Sequence, residues 1–293
     1  MDNFIVLYNP LAGNGTAQDK MRELESLMQG DRLYFSNMLD IRDYGAFFND
    51  MPDGASIIIC GGDGTLNRFL NDTEDIRPDC DIYYYPSGSG NDFARDIGAE
   101  RGAPPVLINR YIERLPKICV NGKEHRFING IGYGIDGYCC EKGDELRGKG
   151  NGEVNYTAIA IKGLLFHYKP TGATITVDGV EHRFEKVWLA PTMIGRYYGG
   201  GMMPTPEQDR LNGDGAVSVM VYYGSGKLKS LAVFPSIFKG EHINHSEMVA
   251  VLSGRNITVC FDEPRPLQID GETVPGVREY SVTACEEKVL QPA

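Results

Sequence analysis

Ile57-Ile58-Ile59-Cys60-Gly61-Gly62-Asp63-Gly64-Thr65-Leu66-Asn67 is the stretch on which the fold turns. Its apolar run reads as a buried strand that ends abruptly in a glycine-rich turn. In an open α/β sheet the carboxyl ends of the strands are where ligands bind. Glycine lets the backbone come close to a ligand and aim its N–H groups at it, which suits phosphate. Asp63 is out of place against bare phosphate, so the turn also implies a cation, a sugar hydroxyl or a proton to manage. The expectation is a phosphate-handling site, a nucleotide's before any other.

Upstream and downstream of this turn the chain repeats the same grammar. Phe4–Tyr8 reads as a strand closed by Asn9-Pro10 and a glycine-rich turn to Gly15, with a helix near Thr16–Gln29 that lines up Met21, Leu24, Leu27 and Met28. Leu33–Leu39 reads as a second strand, Tyr44–Asn49 as a short helix and Ser56–Cys60 as the third strand. Ile82–Tyr85 is a fourth strand, ended by Pro86 and Ser87-Gly88-Ser89-Gly90, with a helix from Asn91 to Ile97. Repeated strand–turn–helix units predict a parallel sheet with helices on both faces. Three turns, Asn9–Gly15, Gly61–Asn67 and Ser87–Asp92, then fall on one edge of that sheet, each with a helix N-terminus behind it, and together read as one anion site.

After about Pro116 the texture changes. Asn121-Gly122 and Asp178-Gly179 each sit between short strands, a strong type I′ hairpin signal. Val217–Tyr223, Met248–Leu252, Ile257–Phe261 and Tyr280–Cys285 are further strands, interrupted by an apolar helix over Ala158–His167. The reading is an α/β domain over residues 1–116 and an antiparallel, sandwich-like β domain over 117–278. Gly132-x-Gly134-x-x-Gly137 matches a dinucleotide fingerprint by letter, but it lies among hairpins, outside the strand–helix alternation, and is set aside as a decoy. No Walker A sequence occurs.

Composition excludes several classes. A net charge of −11 argues against nucleic acid and against simple electrostatic adhesion to anionic membranes. No apolar run of about 18 residues is present, so no membrane-spanning helix is expected. The seven cysteines lack any Cys-x-x-Cys and fit reduced thiols in a cytoplasm. His242 and His245, spaced i and i+3 without further ligands, are a weak metal pair and favour a surface or core role.

Three other segments leave two readings each. Gly199–Met203 is a flexible loop suited to a greasy ligand, or a plain connector. Gln208–Gly215 offers carboxylate and carbonyl oxygens to a hard cation, or is a β-turn. Ile269-Asp270-Gly271-Glu272 is a hairpin turn, or it presents a general base.

Asn9-Pro10-x-x-Gly13, Gly61-Gly62-Asp63-Gly64-Thr65-x-Asn67, Gly88-Ser89-Gly90-Asn91-Asp92-Phe93-Ala94-Arg95, Asp214-Gly215 and Asp270-Gly271-Glu272 stand in an order that resembles the diacylglycerol kinase catalytic-domain family, which includes bacterial soluble lipid kinases and sphingosine kinases. NAD kinases share the Gly-Gly-Asp-Gly signature more distantly. The resemblance spans nearly the whole chain. It implies an N-terminal Rossmann-like three-layer α/β domain and a C-terminal β-sandwich, with a final strand over about 279–293 returning to the first domain. It further implies an ATP site made by Asn9, Pro10, Leu11, Ala12, Gly13, Gly61, Gly62, Asp63, Gly64, Thr65, Leu66, Asn67, Ser89 and Asn91. Asp63 would lie nearest the phosphates and Mg²⁺, Glu272 would act as general base with Asp270 beside it in the catalytic turn, and Asp214 with the Leu211 and Ala216 carbonyls would hold a structural Mg²⁺. The loop here reads Leu-Asn-Gly-Asp-Gly where relatives commonly have Asp-Asp-Gly, and Met38–Asp43 lacks a threonine many relatives place near the nucleotide.

The resemblance points to an ATP-dependent kinase of a lipid hydroxyl, diacylglycerol first, in a cytoplasmic protein that touches the membrane peripherally. Phe166, Tyr197, Met202, Met203 and Phe238 are the candidates for an acyl-chain channel. An exposed sheet edge would support a homodimer. Two alternatives stand beside this reading: an NAD kinase-like phosphotransferase on a soluble acceptor, and a nucleotide-binding regulatory module without catalysis.

Overall fold

The computed structural model describes residues 2–10, 17–74, 76, 78–88, 91–148, 159, 162–163 and 167–285. The chain divides into two units, Met1–Glu113 and Arg114–Ala293.

In the first unit, β1 (Asn3–Tyr8), β2 (Arg32–Asn37), β3 (Ser56–Gly61), β4 (Ile82–Pro86) and β5 (Val106–Leu107) form one sheet in the order β2-β1-β3-β4-β5. The first four pair in parallel and β5 pairs antiparallel to β4. Between them lie α1 (Ala17–Leu27), α2 (Tyr44–Asn49), α3 (Asp63–Asp72), α4 (Asp92–Ile97) and α5 (Asn109–Ile112). Because side chains alternate along a strand, the two faces can be read off by register. One face gathers Phe4, Val6, Ile58, Cys60 and Tyr85 around Leu24 of α1. The other carries Ile57, Ile59 and Tyr84, and the Tyr84 ring meets Phe93 of α4 edge-on with centroids 5.6 Å apart. Helices therefore cover both faces, giving the expected three layers.

The second unit is built on antiparallel strands. β6 (Lys117–Val120) and β7 (Lys123–Arg126) form the first predicted hairpin; β9 (Thr171–Val177) and β10 (Val180–Val187) form the second. Asn121-Gly122 and Asp178-Gly179 all have positive φ, as a type I′ turn requires. The long pair β14 (Asn256–Ile269) and β15 (Glu272–Thr283) organises the rest. The first part of β14 pairs with β9; its end pairs with β8 (Gly130–Tyr133). From β8 the sheet continues through β11 (Thr192–Met193) and β12 (Val217–Tyr222) to β13 (Val249–Gly254). Register shifts around Arg265, between Pro264 and Pro266, let one strand serve both layers of the sandwich.

Three expectations change here. β14 runs well past the predicted Ile257–Phe261, because bulges absorb the two prolines that would otherwise end it. Residues 279–283 do not return to the first unit's sheet. The two-residue turn at Asp270-Gly271 sets β15 antiparallel to β14, Ser281, Val282 and Thr283 pair with β6, and Val277, Tyr280 and Val282 are buried in the second core. Residues 286–293 lie outside the described residues. A helix unforeseen in the sequence, α6 (Ile135–Gly148), follows β8; Gly137, Gly143 and Gly148 mask its helical pattern. The predicted Ala158–His167 helix falls largely outside the described residues. A last helix, α7 (Lys227–Val233), precedes two short 3₁₀ turns, in which His242 is a core residue bonded to the Pro204 carbonyl at 2.9 Å, its pKa lowered by burial.

The sandwich core centres on Tyr133, stacked on Phe261 with centroids 4.1 Å apart and planes 12° from parallel, while its hydroxyl donates to the Val277 carbonyl at 2.6 Å. Phe261→Ala is expected to cost about 3–5 kcal/mol in urea unfolding. A loss below about 1 kcal/mol would contradict this placement of the core.

Candidate functional site

The order β2-β1-β3-β4-β5 reverses direction between β1 and β3, and a doubly wound sheet binds ligands outside the carboxyl ends of the strands at that switch point. Asn9-Pro10 follows β1 there, and Gly61-Gly62-Asp63 follows β3. Leu11, Ala12 and Gly13 lie outside the described residues, as does Ser89.

Two of the three predicted turns are welded backbone to backbone. A Cβ added at Gly88 would sit 2.5 Å from the Gly62 Cα, so only glycine on both sides allows the approach. The Ser87 N–H donates to the Gly61 carbonyl at 2.9 Å. Asn91 adopts a left-handed φ of 45°, and its side-chain amide donates to the Gly88 carbonyl at 2.8 Å, while Asn91 Oδ1 is buried with no hydrogen-bond partner among the described residues. Arg101, unremarked in the sequence, donates to the same carbonyl at 2.6 Å.

Asp63 supplies the remaining link. Its Oδ2 accepts the Asp92 N–H at 2.7 Å and its Oδ1 the Phe93 N–H at 3.1 Å. Asn91 makes no side-chain cap for α4, so the carboxylate from α3 caps it instead. This corrects one expectation: the first amides of α4 are given to Asp63 rather than held open for an anion. Each oxygen of Asp63 accepts one of these bonds, and a carboxylate has about four acceptor sites in all. Thr65 and Leu66 face inward and are buried, whereas a Cβ at Gly64 would meet nothing within 4 Å among the described residues, and Asn67 accepts from the Asn71 amide. Cys60, beside the turn, has its thiol pushed up to about 11 by burial, which makes it a neutral wall rather than a nucleophile.

In the second unit the stretch Asp270-Gly271-Glu272 is a hairpin turn, the first of its two readings. Asp270 has φ 46° and Gly271 φ 97°, with Ile269 opposite Glu272. The Asp270 carboxylate accepts the N–H groups of Ile128, Asn129 and Gly130 at 2.6, 2.9 and 3.0 Å. These three bonds anchor the hairpin. Arg210 grips the same segment from the other side through the Ile128 carbonyl and Asn129 Oδ1. Glu272, at the start of β15, is exposed.

The residues named for a structural Mg²⁺ do not fit one. The Ala216 carbonyl accepts two amide donors, Gln208 Nε2 at 2.9 Å and Asn212 Nδ2 at 2.8 Å. Asp214 Oδ1 accepts the Ala216 N–H at 3.2 Å, and its carbonyl accepts from the Arg255 guanidinium, whose charge repels a cation. Leu211 is held through its own N–H to Asp209 Oδ1. Asn212 Oδ1 in this loop is buried with no hydrogen-bond partner among the described residues. Among the described residues no group of three or more His, Cys, Asp or Glu converges as a metal cluster. Of the expected channel residues, Met202 is packed in the core with Tyr198, Met193 and Met220. Phe238 is exposed, Tyr197 and Met203 are half-buried, and Phe166 lies outside the described residues. A groove of about 350 Å³ between Thr205–Gln208 and Ser218, Val251 and Ser253 contains none of them. The thermal midpoint of the nucleotide-free protein is expected to be the same in EDTA and in millimolar Mg²⁺, and to fall in Arg255→Gln; a midpoint that rises with Mg²⁺ would contradict the closed loop.

Residues 3–117 match the family model of the diacylglycerol kinase catalytic domain, and residues 129–286, more than half of the chain, match that of the YegS C-terminal NAD kinase beta sandwich-like domain. The chain is 27% identical over 246 residues to a diacylglycerol kinase of Mycobacterium tuberculosis, covering 81% of this chain and 77% of that one. A diacylglycerol kinase of Bacillus subtilis is 29% identical over 224 residues, covering 74% and 70%. The crystal structure of a diacylglycerol kinase from Bacillus anthracis superposes with a TM-score of 0.63 at 20% identity, over 97% of this chain and 94% of that one, a likeness of fold. With both family models matched in order and the fold in agreement, this chain belongs to the family that joins a diacylglycerol kinase catalytic domain to a YegS-type β-sandwich.

Proposed function

We propose that the protein is an ATP-dependent lipid kinase that phosphorylates a lipid hydroxyl, with diacylglycerol as acceptor and phosphatidic acid as product. The observation that carries the kinase reading is the pair of glycine turns fused at Gly62 and Gly88 beside the β1/β3 switch point. Glycine backbone packed that closely leaves no side chain between a ligand and the main chain, which suits phosphate rather than an apolar ligand. The lipid acceptor is supported by the names of the relatives in M. tuberculosis and B. subtilis.

Phosphoryl transfer asks for an in-line hydroxyl, a base and stabilised charge, with little covalent work by the protein. ATP enters as its magnesium complex, a substrate, over Asn9–Gly13, Gly61–Asn67, Ser89 and Asn91. Glu272 takes the proton from the acceptor hydroxyl while its oxygen attacks the γ-phosphorus and the bond to ADP breaks. Asp63 and Asp270 act through the backbone they hold. No helix among the described residues is long and apolar enough to cross a membrane, and the acceptor resides in one, so we assign a peripheral encounter made from the cytoplasmic side, where ATP is available. With a net charge of −11, that encounter is not driven by bulk attraction to anionic lipid.

Incubated with γ-labelled ATP, Mg²⁺ and a panel of diacylglycerol, ceramide, sphingosine and polyprenol in mixed micelles, the protein is expected to move label into an organic-soluble product from diacylglycerol. Label confined to the aqueous phase would contradict the lipid assignment and favour a soluble acceptor. Glu272→Ala is expected to lower kcat by about 100-fold or more, the usual contribution of a general base, with the KM for ATP little changed. Unchanged turnover would remove Glu272 from that role.

A further inference from the structure

The glycine triplet set aside as a decoy has a physical purpose. A Cβ at Gly132 would lie 1.6 Å from Asp136 Oδ2 and 2.6 Å from Gln268 Nε2; one at Gly137 would lie 2.0 Å from the Pro266 carbonyl oxygen. Glycine at these places lets the start of α6 press onto β8 and β14, which brings the Asp136 carboxylate under β14. Asp136 keeps partial exposure, yet the protein packed around it pushes its carboxyl up to about 6, a rise tempered by Gln268 from β14 and the Tyr198 hydroxyl beside it. Cys139, on its own helix, also feels the charge.

What the carboxylate holds is the hairpin that displays Glu272. Gln268, 3% exposed, donates from Nε2 to Asp136 Oδ2 at 2.9 Å, and its Oε1 accepts the Gly271 N–H at 2.6 Å. An ionised carboxylate only accepts, so it forces the Gln268 NH₂ group toward itself and the carbonyl oxygen toward Gly271. A second carboxylate of α6 takes the other flank: the Thr273 hydroxyl donates to Asp144 Oδ2 at 2.7 Å. Glu272 lies between these two anchored neighbours.

We propose that Asp136, acting through Gln268 and the Gly271 amide, is a positioning residue for Glu272. The proposal rests on the assignment of Glu272 as the base. Asp136 touches neither nucleotide nor reacting atoms in this role; it sets the orientation of one amide, and through it the turn.

The test is kinetic, on the full chain with diacylglycerol in mixed micelles. Asp136→Asn, which no longer dictates the orientation of Gln268, is expected to lower kcat about tenfold with the KM for ATP and for acceptor unchanged. Gln268→Met, similar in length and without polar atoms, keeps the chain folded and is expected to give the same loss. In a Glu272→Gln background, neither substitution should lower the residual rate further, whereas a merely structural defect would multiply with it. Full kcat in Asp136→Asn and Gln268→Met, multiplicative losses in the Glu272→Gln background, or a rise in the acceptor KM alone would each overturn the proposal. If Glu272→Gln itself keeps the wild-type kcat, the base assignment falls, and the proposal falls with it.

Discussion

The bidentate cap that Asp63 places on α4 is the constraint on which the first unit's site depends. Without it, α4 would begin at a left-handed Asn91 whose side chain is already committed to the Gly88 carbonyl, and the N–H groups of Asp92 and Phe93 would lack their acceptors. With it, the turns after β3 and β4 become one rigid body. The Gly62–Gly88 contact then follows, because two backbones held this way meet at a distance no side chain permits. The proposed phosphate site would need backbone whose direction is fixed before the ligand arrives, and the Asp63 cap gives the turns at the sheet's switch point that fixity.

The second unit uses carboxylates in the same manner. Asp270 takes three consecutive amides of 128–130, and Asp178 takes the N–H groups of Arg255 and Asn256. Asp136 and Asp144 of α6 bracket the hairpin at Glu272. An excess of acidic residues that looks like surface charge in the composition is thus partly spent inside turns. Guanidinium groups complete the pattern. Arg210, Arg255 and Arg101 each donate to backbone carbonyls at a loop, and Arg255 donates to the Asp214 carbonyl in the loop for which the family resemblance implied a cation.

Much of the fold was legible in the sequence. Unbroken apolar runs announced β1, β3 and β4, and the asparagine–glycine and aspartate–glycine pairs fixed the hairpins, because both signals are local. What was not legible depends on distant partners. β14 continues through Pro264 and Pro266 only because bulges against β15 accommodate them. α6 has three glycines that disfavour a helix; Gly137 is answered by the Pro266 carbonyl pressed against it and Gly148 by its exposure at the helix end, neither of which the sequence reveals. The site was legible in its residues more than in their roles. Gly62, Asp63 and Asp270 were all singled out, but the backbone amides that Asp63 and Asp270 hold were not foreseen. Carboxylates beside glycines suit a metal, a proton or a helix cap equally well, and only the third dimension tells which amides lie within reach. Gln268 carries no local signal; the spacing of Gly132, Gly134 and Asp136 was the one available clue to its partner.

Amide hydrogen exchange at Asp92 and Phe93 tests the central claim most directly. In the nucleotide-free protein these two N–H groups are expected to exchange slowly, and in Asp63→Ala they should exchange much faster while the strand amides of β1 and β3 stay protected. Equal exchange at Asp92 and Phe93 in the two proteins would show that Asp63 does not hold the turns together, and the account of the site built on that bond would be wrong.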